Sequence, residues 1–297
     1  MVILLIKGGL GNQLFEYAAG RSLALRNNVP LKLDNISGFP RDSYRRAYSL
    51  KPFLIKEDFA LPEDCFLGQS GRLRRWILRR YDRGRPFEKR SYIQEEFSSF
   101  DTRLLNLKVT KKIYLEGCWQ SELYFKDIER IIRKEFGFKQ PHEQINIETA
   151  RKIQDCESVC VHVRRLHGRP NIKGAVPLDG KDARANFIDV NYYRKSIRSI
   201  IEQVKKPHFF VFADYPEWGR ENLHFNGCPV TFVGHNGNDK DYEDLWLMSL
   251  CRHFVIANSS FSWWGAWLSD FENKIVFAPS EGFDNKLDLI PKSWVVI

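Results

Sequence analysis

Apolar positions in this chain follow two rhythms. Val2 to Ile6 is an unbroken apolar run of the kind required by a parallel strand covered on both faces. A glycine-rich turn follows, Gly8-Gly9-Leu10-Gly11-Asn12-Gln13, and from Leu14 the spacing becomes helical through Phe15, Ala18, Ala19, Leu23 and Leu25. Pro30 to Asp34, after Asn27-Asn28, reads as a second strand, so the chain opens as a βαβ unit. Lys112 to Glu116 predicts another strand, and Ser121 to about Phe136 a helix. From about Arg41 to Thr110 the pattern is irregular and basic and predicts no definite element.

The second half is more regular. Strands are expected at Ser158 to Val163, His208 to Ala213, Pro229 to Val233, His253 to Ala257 and Lys274 to Ala278, with helical segments between most of them. This alternation implies an α/β protein, a parallel sheet with helices on both faces. Pro141 and a polar stretch separate the two patterns near residues 140 to 156, which gives an N-terminal domain over 1–145 and a C-terminal one over 146–297. At 297 residues each is long enough to bury its own core.

Composition narrows the setting. The Val2 to Ile6 run is far short of the roughly 20 residues a membrane span needs, so a cytoplasmic chain is expected. The six cysteines contain no CxxC pair and indicate neither a zinc site nor a disulfide framework. Net charge is +9, yet Arg72 to Arg90 alone carries nine basic residues against Asp82 and Glu88, leaving the rest nearly neutral. No nucleic-acid partner is expected from so local a charge; the alternative of another class, a basic nucleic-acid-binding protein, would use this segment. Within it Leu73, Trp76, Ile77 and Tyr81 recur at helical spacing. Such a segment either lies on an anionic membrane at the inner face or packs its apolar stripe onto the protein.

Ligands of open α/β sheets bind outside the carboxyl ends of the strands, so the residues following each strand matter most. Here they are His162-Val163-Arg164-Arg165, Asp214, Gly234-His235-Asn236 and Asn258-Ser259-Ser260, all on one predicted rim. Adjacent arginines can fork onto a pyrophosphate without a metal. Serines leading from a strand into a helix offer hydroxyls and free amides to an anion, although a lone serine there is usually only a cap. Asp214 could accept hydrogen bonds from a base or ribose. Two competing motifs are weaker. Gly9-Leu10-Gly11-Asn12-Gln13-Leu14 lacks the third glycine of a dinucleotide fingerprint, although Asp34 closes the second strand at about the expected distance. Asp239-Lys240-Asp241 has the form of a metal-holding DxD, but Asp241 and Asp244 read better as a helix start, and no metal is expected.

Gly8 to Phe15, Gly117-Cys118-Trp119-Gln120-Ser121-Glu122, His162 to Arg165, Phe212-Ala213-Asp214 and Ala257-Asn258-Ser259-Ser260-Phe261-Ser262-Trp263-Trp264-Gly265-Ala266 stand in the order seen in a known family. The chain resembles glycosyltransferase family 11, the α-1,2-fucosyltransferases, from end to end except between about Arg41 and Thr110. The resemblance implies a GT-B fold, two Rossmann-like domains facing across a cleft, and inverting transfer of L-fucose from GDP-fucose to the 2-hydroxyl of a galactose-containing glycan. It implies that Arg164 and Arg165 stabilise the leaving diphosphate. His162, Asp214, Asn258, Ser259 and Ser260 would contact the donor, while Gly9, Gly11, Asn12 and Gln13 would border the cleft from the other domain. A sugar transferase using another nucleotide donor would keep the same rim.

The sequence departs from that pattern at His167, where the family usually has Asp after the arginines, at neighbouring Leu166, and at Tyr215, where a second Asp is usual. His167 joins Arg164 and Arg165 as a catalytic candidate. The general base is open among His167, Asp34, Glu122 and Glu116.

Overall fold

The computed structural model describes residues 1–97, 99–139, 142–167, 176–177, 188–237, 239–280 and 287–297, with backbone alone at 166, 167, 176, 177 and 287. The chain divides into two compact units, Met1–Lys139 with Asn285–Leu289, and Gln140–Asp284 with Ile290–Ile297. The break falls slightly before the boundary expected from sequence, and the last part of the chain is shared.

In the first unit β1 (Val2–Leu5), β2 (Leu31–Asp34), β3 (Tyr92–Gln94) and β4 (Ile113–Glu116) form a parallel sheet in the order β2-β1-β4-β3. Every β1 side chain is buried, as its unbroken apolar run requires. Gly8 then takes φ +74°, a conformation that glycine adopts without steric cost, and turns the chain into α1 (Leu10–Arg26) with Gly9 as N-cap. The helix starts before Leu14 because the glycine-rich segment is itself its first turn. Gly20 lets α1 lie close on β1, since an added Cβ there would stand 2.9 Å from Leu4.

The basic segment without expected structure holds α2 (Gly68–Arg83) and β3; a one-turn helix, α3 (Thr102–Asn106), follows. The polarity of α2 is inverted. Gly71, Arg75, Leu78 and Asp82, spaced for one helix face, turn inward. Leu73, Trp76, Ile77 and Tyr81 are 58%, 60%, 50% and 63% exposed, so the reading that this stripe packs onto the protein is overturned. The inward face is fixed by charge. Arg75 pairs with Glu116 at 2.6 Å and donates to the Tyr92 hydroxyl, Arg74 donates to the Glu63 and Cys65 carbonyls, and Asp82 accepts from the Ser91 and Tyr92 amides.

The helix expected from Ser121 is also different. Phe125 and Ile128 leave helical geometry, so two 3-10 turns, Glu122–Tyr124 and Lys126–Ile128, precede α4 (Glu129–Glu135). Two of the general-base candidates hold polar partners within the first unit. Asp34 accepts from the Ile36 and Ser37 amides and the Tyr114 hydroxyl. Burial disfavours ionised Glu116, but Arg75, the Tyr92 hydroxyl and Lys7 outweigh it and hold its carboxyl below the usual carboxylate range.

The second unit contains α5 (Gln144–Gln154), β5 (Glu157–Val163), an antiparallel pair of β6 (Leu166–His167) and β7 (Val176–Pro177), α6 (Val190–Gln203), β8 (Pro207–Ala213), α7 (Pro216–Asn222) and β9 (Val230–Val233). It continues through α8 (Asp241–Ser249), β10 (His253–Val255), α9 (Ser260–Leu268), β11 (Val276–Ala278) and β12 (Val295–Val296). Its six-stranded sheet is parallel, in the order β12-β11-β10-β5-β8-β9. Val159, Val161, Phe209 and Val211 pack one face against Tyr193, Ile197 and Ile200 of α6. From β5 the chain builds outward through β8 to β9, then returns to place β10 on the other side of β5. The strand order therefore reverses between β5 and β10, the point where this architecture opens a crevice at the strand ends.

Removing the Glu116 charge tests the anchor of α2. Glu116→Gln should lower the unfolding free energy by roughly 2–3 kcal/mol at pH 7 by leaving Arg75 unpaired. Because the native carboxyl is held low, its contribution is present above the ordinary value near 4.5 and is lost as pH falls through the lower native value. Urea unfolding between pH 7 and pH 3 should show a shallower acid limb in the variant.

Candidate active site

β5 and β8 run side by side in register, with Val163 opposite Ala213, so the residues leaving these two strands meet. Asp214 uses both oxygens there. Oδ1 accepts from the Arg165 backbone amide at 2.7 Å, and Oδ2 lies 3.1 Å from Arg164 Nε. The carboxylate side chain is 6% exposed and that of Arg164 39%, so a buried anion aims a partly open cation. The Arg165 guanidinium lies over the Trp218 ring, 3.6 Å from its centroid, and the ring of Tyr193 in α6 meets Trp218 edge-on at 5.9 Å. Burial pulls Arg165 below the usual guanidinium value, against the opposing fields of Tyr193, Asp214 and Asp189. A guanidinium stays charged under such a shift, so the desolvated cation gains from any anion brought to it.

His162 precedes the arginines on β5 and is buried, with the Phe261 ring 5.8 Å away. Burial, with the Arg164 charge adding to it, drives its pKa down to about 3. The imidazole is therefore neutral at physiological pH, and its Nδ1 has no hydrogen-bond partner among the described residues.

Across the switch point, β10 leads through Asn258 to Ser259, the N-cap of α9, whose hydroxyl accepts from the Phe261 amide. Ser260 is the first residue of the helix, while Ser262 turns inward and donates to the Ala257 and Ser259 carbonyls. The tryptophans of this stretch are core. Trp263 and Trp264 are fully buried and pack with each other and Trp267, and Trp263 also meets Trp294, fixing the helix whose N-terminus faces the rim.

At the end of β9 His235 and Asn236 enter a polar network. His235 Nε2 lies 2.7 Å from Asn146 Oδ1, Asn146 donates to Asn236, and Asn236 donates to Asp244 at 2.7 Å. Burial lifts Asp244 to about 7, against the Asn236 hydrogen bond and with help from Asp241 and Glu243. The Asp239-Lys240-Asp241 segment does start a helix, with Lys240 as the N-cap residue, paired with Glu143, and Asp241 and Asp244 in the first turn.

The structure thus gathers His162, Arg164, Arg165, Asp214, Asn258, Ser259 and Ser260 at the carboxyl ends of one sheet. His167 lies on β6, and its side chain lies outside the described residues. Gly9, Gly11, Asn12 and Gln13 belong to the first unit. There Asn12 accepts from Gln120, and the wholly buried Gln13 side chain bonds Gly8, Ala47 and Ser49, which makes it a staple between loops. Sequence reasoning missed Trp218 and Tyr193 as supports of Arg165. The available signal was an aromatic in the first turn of the helix that follows Asp214.

The fold resembles that of the fucosyltransferase NodZ from Bradyrhizobium, with a TM-score of 0.50 over 93% of this chain and 94% of that one at 14% identity. Two parallel α/β units of this kind are the GT-B architecture. Residues 79–297 match the family described as glycosyl transferase family 11. The chain is 31% identical to the alpha-1,2-colitosyltransferase of Escherichia coli over 100% of its own length and 99% of that protein. It is also 31% identical to the O-antigen biosynthesis glycosyltransferase WbnK of Escherichia coli, over 98% of each. The chain belongs to glycosyl transferase family 11.

The neutral state of His162 has a measurable consequence. Its folded pKa lies below the unfolded value of 6.5, so the unfolded chain takes up the proton first. Its contribution to stability is complete above pH 6.5 and is lost as pH falls toward 3, at up to about 1.4 kcal/mol per pH unit. In denaturant titrations at pH 7, 6 and 5, His162→Gln should lose stability less steeply than the native chain.

Proposed function

We propose that this enzyme transfers L-fucose from GDP-β-L-fucose to the 2-hydroxyl of a galactoside, with inversion at the sugar carbon. The carrying observation is the arginine pair held by Asp214 at the switch point of the second sheet. As the bond from sugar to diphosphate breaks, negative charge grows on the departing oxygen, and cations already desolvated and oriented stabilise that charge without reorganising. Arg164, in the more open position, meets the diphosphate directly, and Arg165 is kept in place by Trp218. Neutral His162 serves as a hydrogen-bonding contact for the nucleotide, and the Asn258 to Ser260 turn offers the amides of a helix start to the phosphates. With this cationic charge in place, transfer needs no divalent metal. The α-1,2 specificity named for the colitosyltransferase relative supports the linkage, and NodZ, a fucosyltransferase by name, shares the fold.

The colitosyl specificity of that relative favours one second reading, a colitosyl donor. Colitose is L-fucose without its 3-hydroxyl. A pocket that hydrogen-bonds this hydroxyl rejects the deoxy sugar by about 10⁴ or more, whereas one that merely tolerates it discriminates only about 10²-fold. Incubation with GDP-fucose or GDP-colitose and a galactoside panel, followed by linkage analysis of the product, decides donor and linkage together. Absence of a 2-O-fucosyl product would overturn the proposal.

Rates should rank the residues. Arg164→Ala or Arg165→Ala should lower turnover by about 10² to 10³, the cost of deleting one donor to a developing anion. His167→Ala should cost less than about tenfold, the outcome expected if the residue in place of the family carboxylate is not the group that takes the acceptor proton. Equal loss in all three folded variants would make His167 the general base. Transfer should also continue undiminished in EDTA, and rescue of a chelated enzyme by Mn²⁺ would refute metal independence.

A further inference from the structure

We infer that the outer face of α2 is a docking surface for an anionic lipid bilayer. The helix is anchored by its polar side, and its apolar side has no partner among the described residues. Leu73, Trp76, Ile77 and Tyr81 form one exposed stripe at i, i+3, i+4 and i+8, all at least half exposed. On a helical projection Arg72, Arg80 and Arg83 lie within or along one flank of this stripe, and all three are exposed. Their guanidinium groups form no ion pair among the described residues, whereas Arg75, Arg85 and Arg90 pair with Glu116, Asp82 and Glu96.

The charge on this face matches one partner. An acidic protein groove would offer carboxylates to the arginines, but a continuous bilayer offers both terms at once: phosphate or carboxylate headgroups for Arg72, Arg80 and Arg83, and the acyl boundary for Leu73 and Ile77. Trp76 and Tyr81 are the residues that settle at that boundary, with rings in the apolar layer and polar atoms among the headgroups. No described helix is long and apolar enough to cross a membrane, so the contact is peripheral. Arg74, Arg75 and Arg79 are poor probes of it because they hydrogen-bond to the protein.

The test is co-sedimentation of the full chain with vesicles of phosphatidylcholine alone or with 30% phosphatidylglycerol. The native chain should pellet with the anionic vesicles at low salt and be released by 0.5 M salt. Arg72→Gln/Arg80→Gln/Arg83→Gln should weaken partitioning by roughly a hundredfold, about fivefold per arginine. Trp76→Ser/Ile77→Ser should weaken it by more than tenfold by removing the inserted stripe. Both variants change only exposed residues of the first unit that are no part of the arginine site, so turnover of a soluble galactoside should match the native rate and report intact folding. Equal binding to neutral vesicles, or undiminished binding by either variant, overturns the inference. So does lipid-free self-association of the native chain that Trp76→Ser abolishes, since a second copy would then cover this face.

Discussion

The site depends on one carboxylate. Two adjacent arginines repel each other and scatter unless something fixes them, and Asp214 fixes both by accepting from the side chain of one and the backbone of the next. It can do so because β5 and β8 are parallel neighbours in register, which brings the end of one strand beside the end of the other. Trp218 completes the arrangement by holding the second guanidinium through its ring face. The site is therefore preorganised by ordinary sheet geometry, and its cations are partly desolvated before any anion arrives.

The first unit uses buried polar groups for a different purpose. Asp34, Asp82, Glu95 and Gln13 each accept from backbone amides of a loop, and three of these four side chains are fully buried. Each satisfies donors that would otherwise be costly to bury. Polar residues near a strand end thus divide into two kinds. Asp34 and Gln13 spend their oxygens on loops of the first unit, whereas Asp214 also orients the Arg164 guanidinium of the candidate site.

The same accounting explains α2. Its inward face buries an aspartate and most of an arginine, which is tolerable only because Asp82 caps two amides and Arg75 meets Glu116 and Tyr92. Once the polar side is committed inward, the apolar residues have nowhere to go but outward. Their exposure is a consequence of what anchors the helix.

The sequence by itself determined the α/β class, the βαβ opening, five strands of the second sheet, the arginine pair and the serine turn, because all of these rest on local rules: apolar runs, glycine at a turn, a cap before a helix. His162, Arg164, Arg165 and Asn258 to Ser260 were legible as a rim because parallel strands place their carboxyl ends together whatever their order. The orientation of α2, the loss of the helix start after Ser121, the staple made by Gln13 and the pairing of Asp214 with both arginines were decided only by tertiary structure. In each case the outcome depends on which distant group shares a buried polar atom, Glu116 for Arg75 or Ala47 and Ser49 for Gln13. Hydrophobic periodicity carries no information about such partners. It says which face is apolar, and long-range hydrogen bonds and ion pairs decide which face is buried.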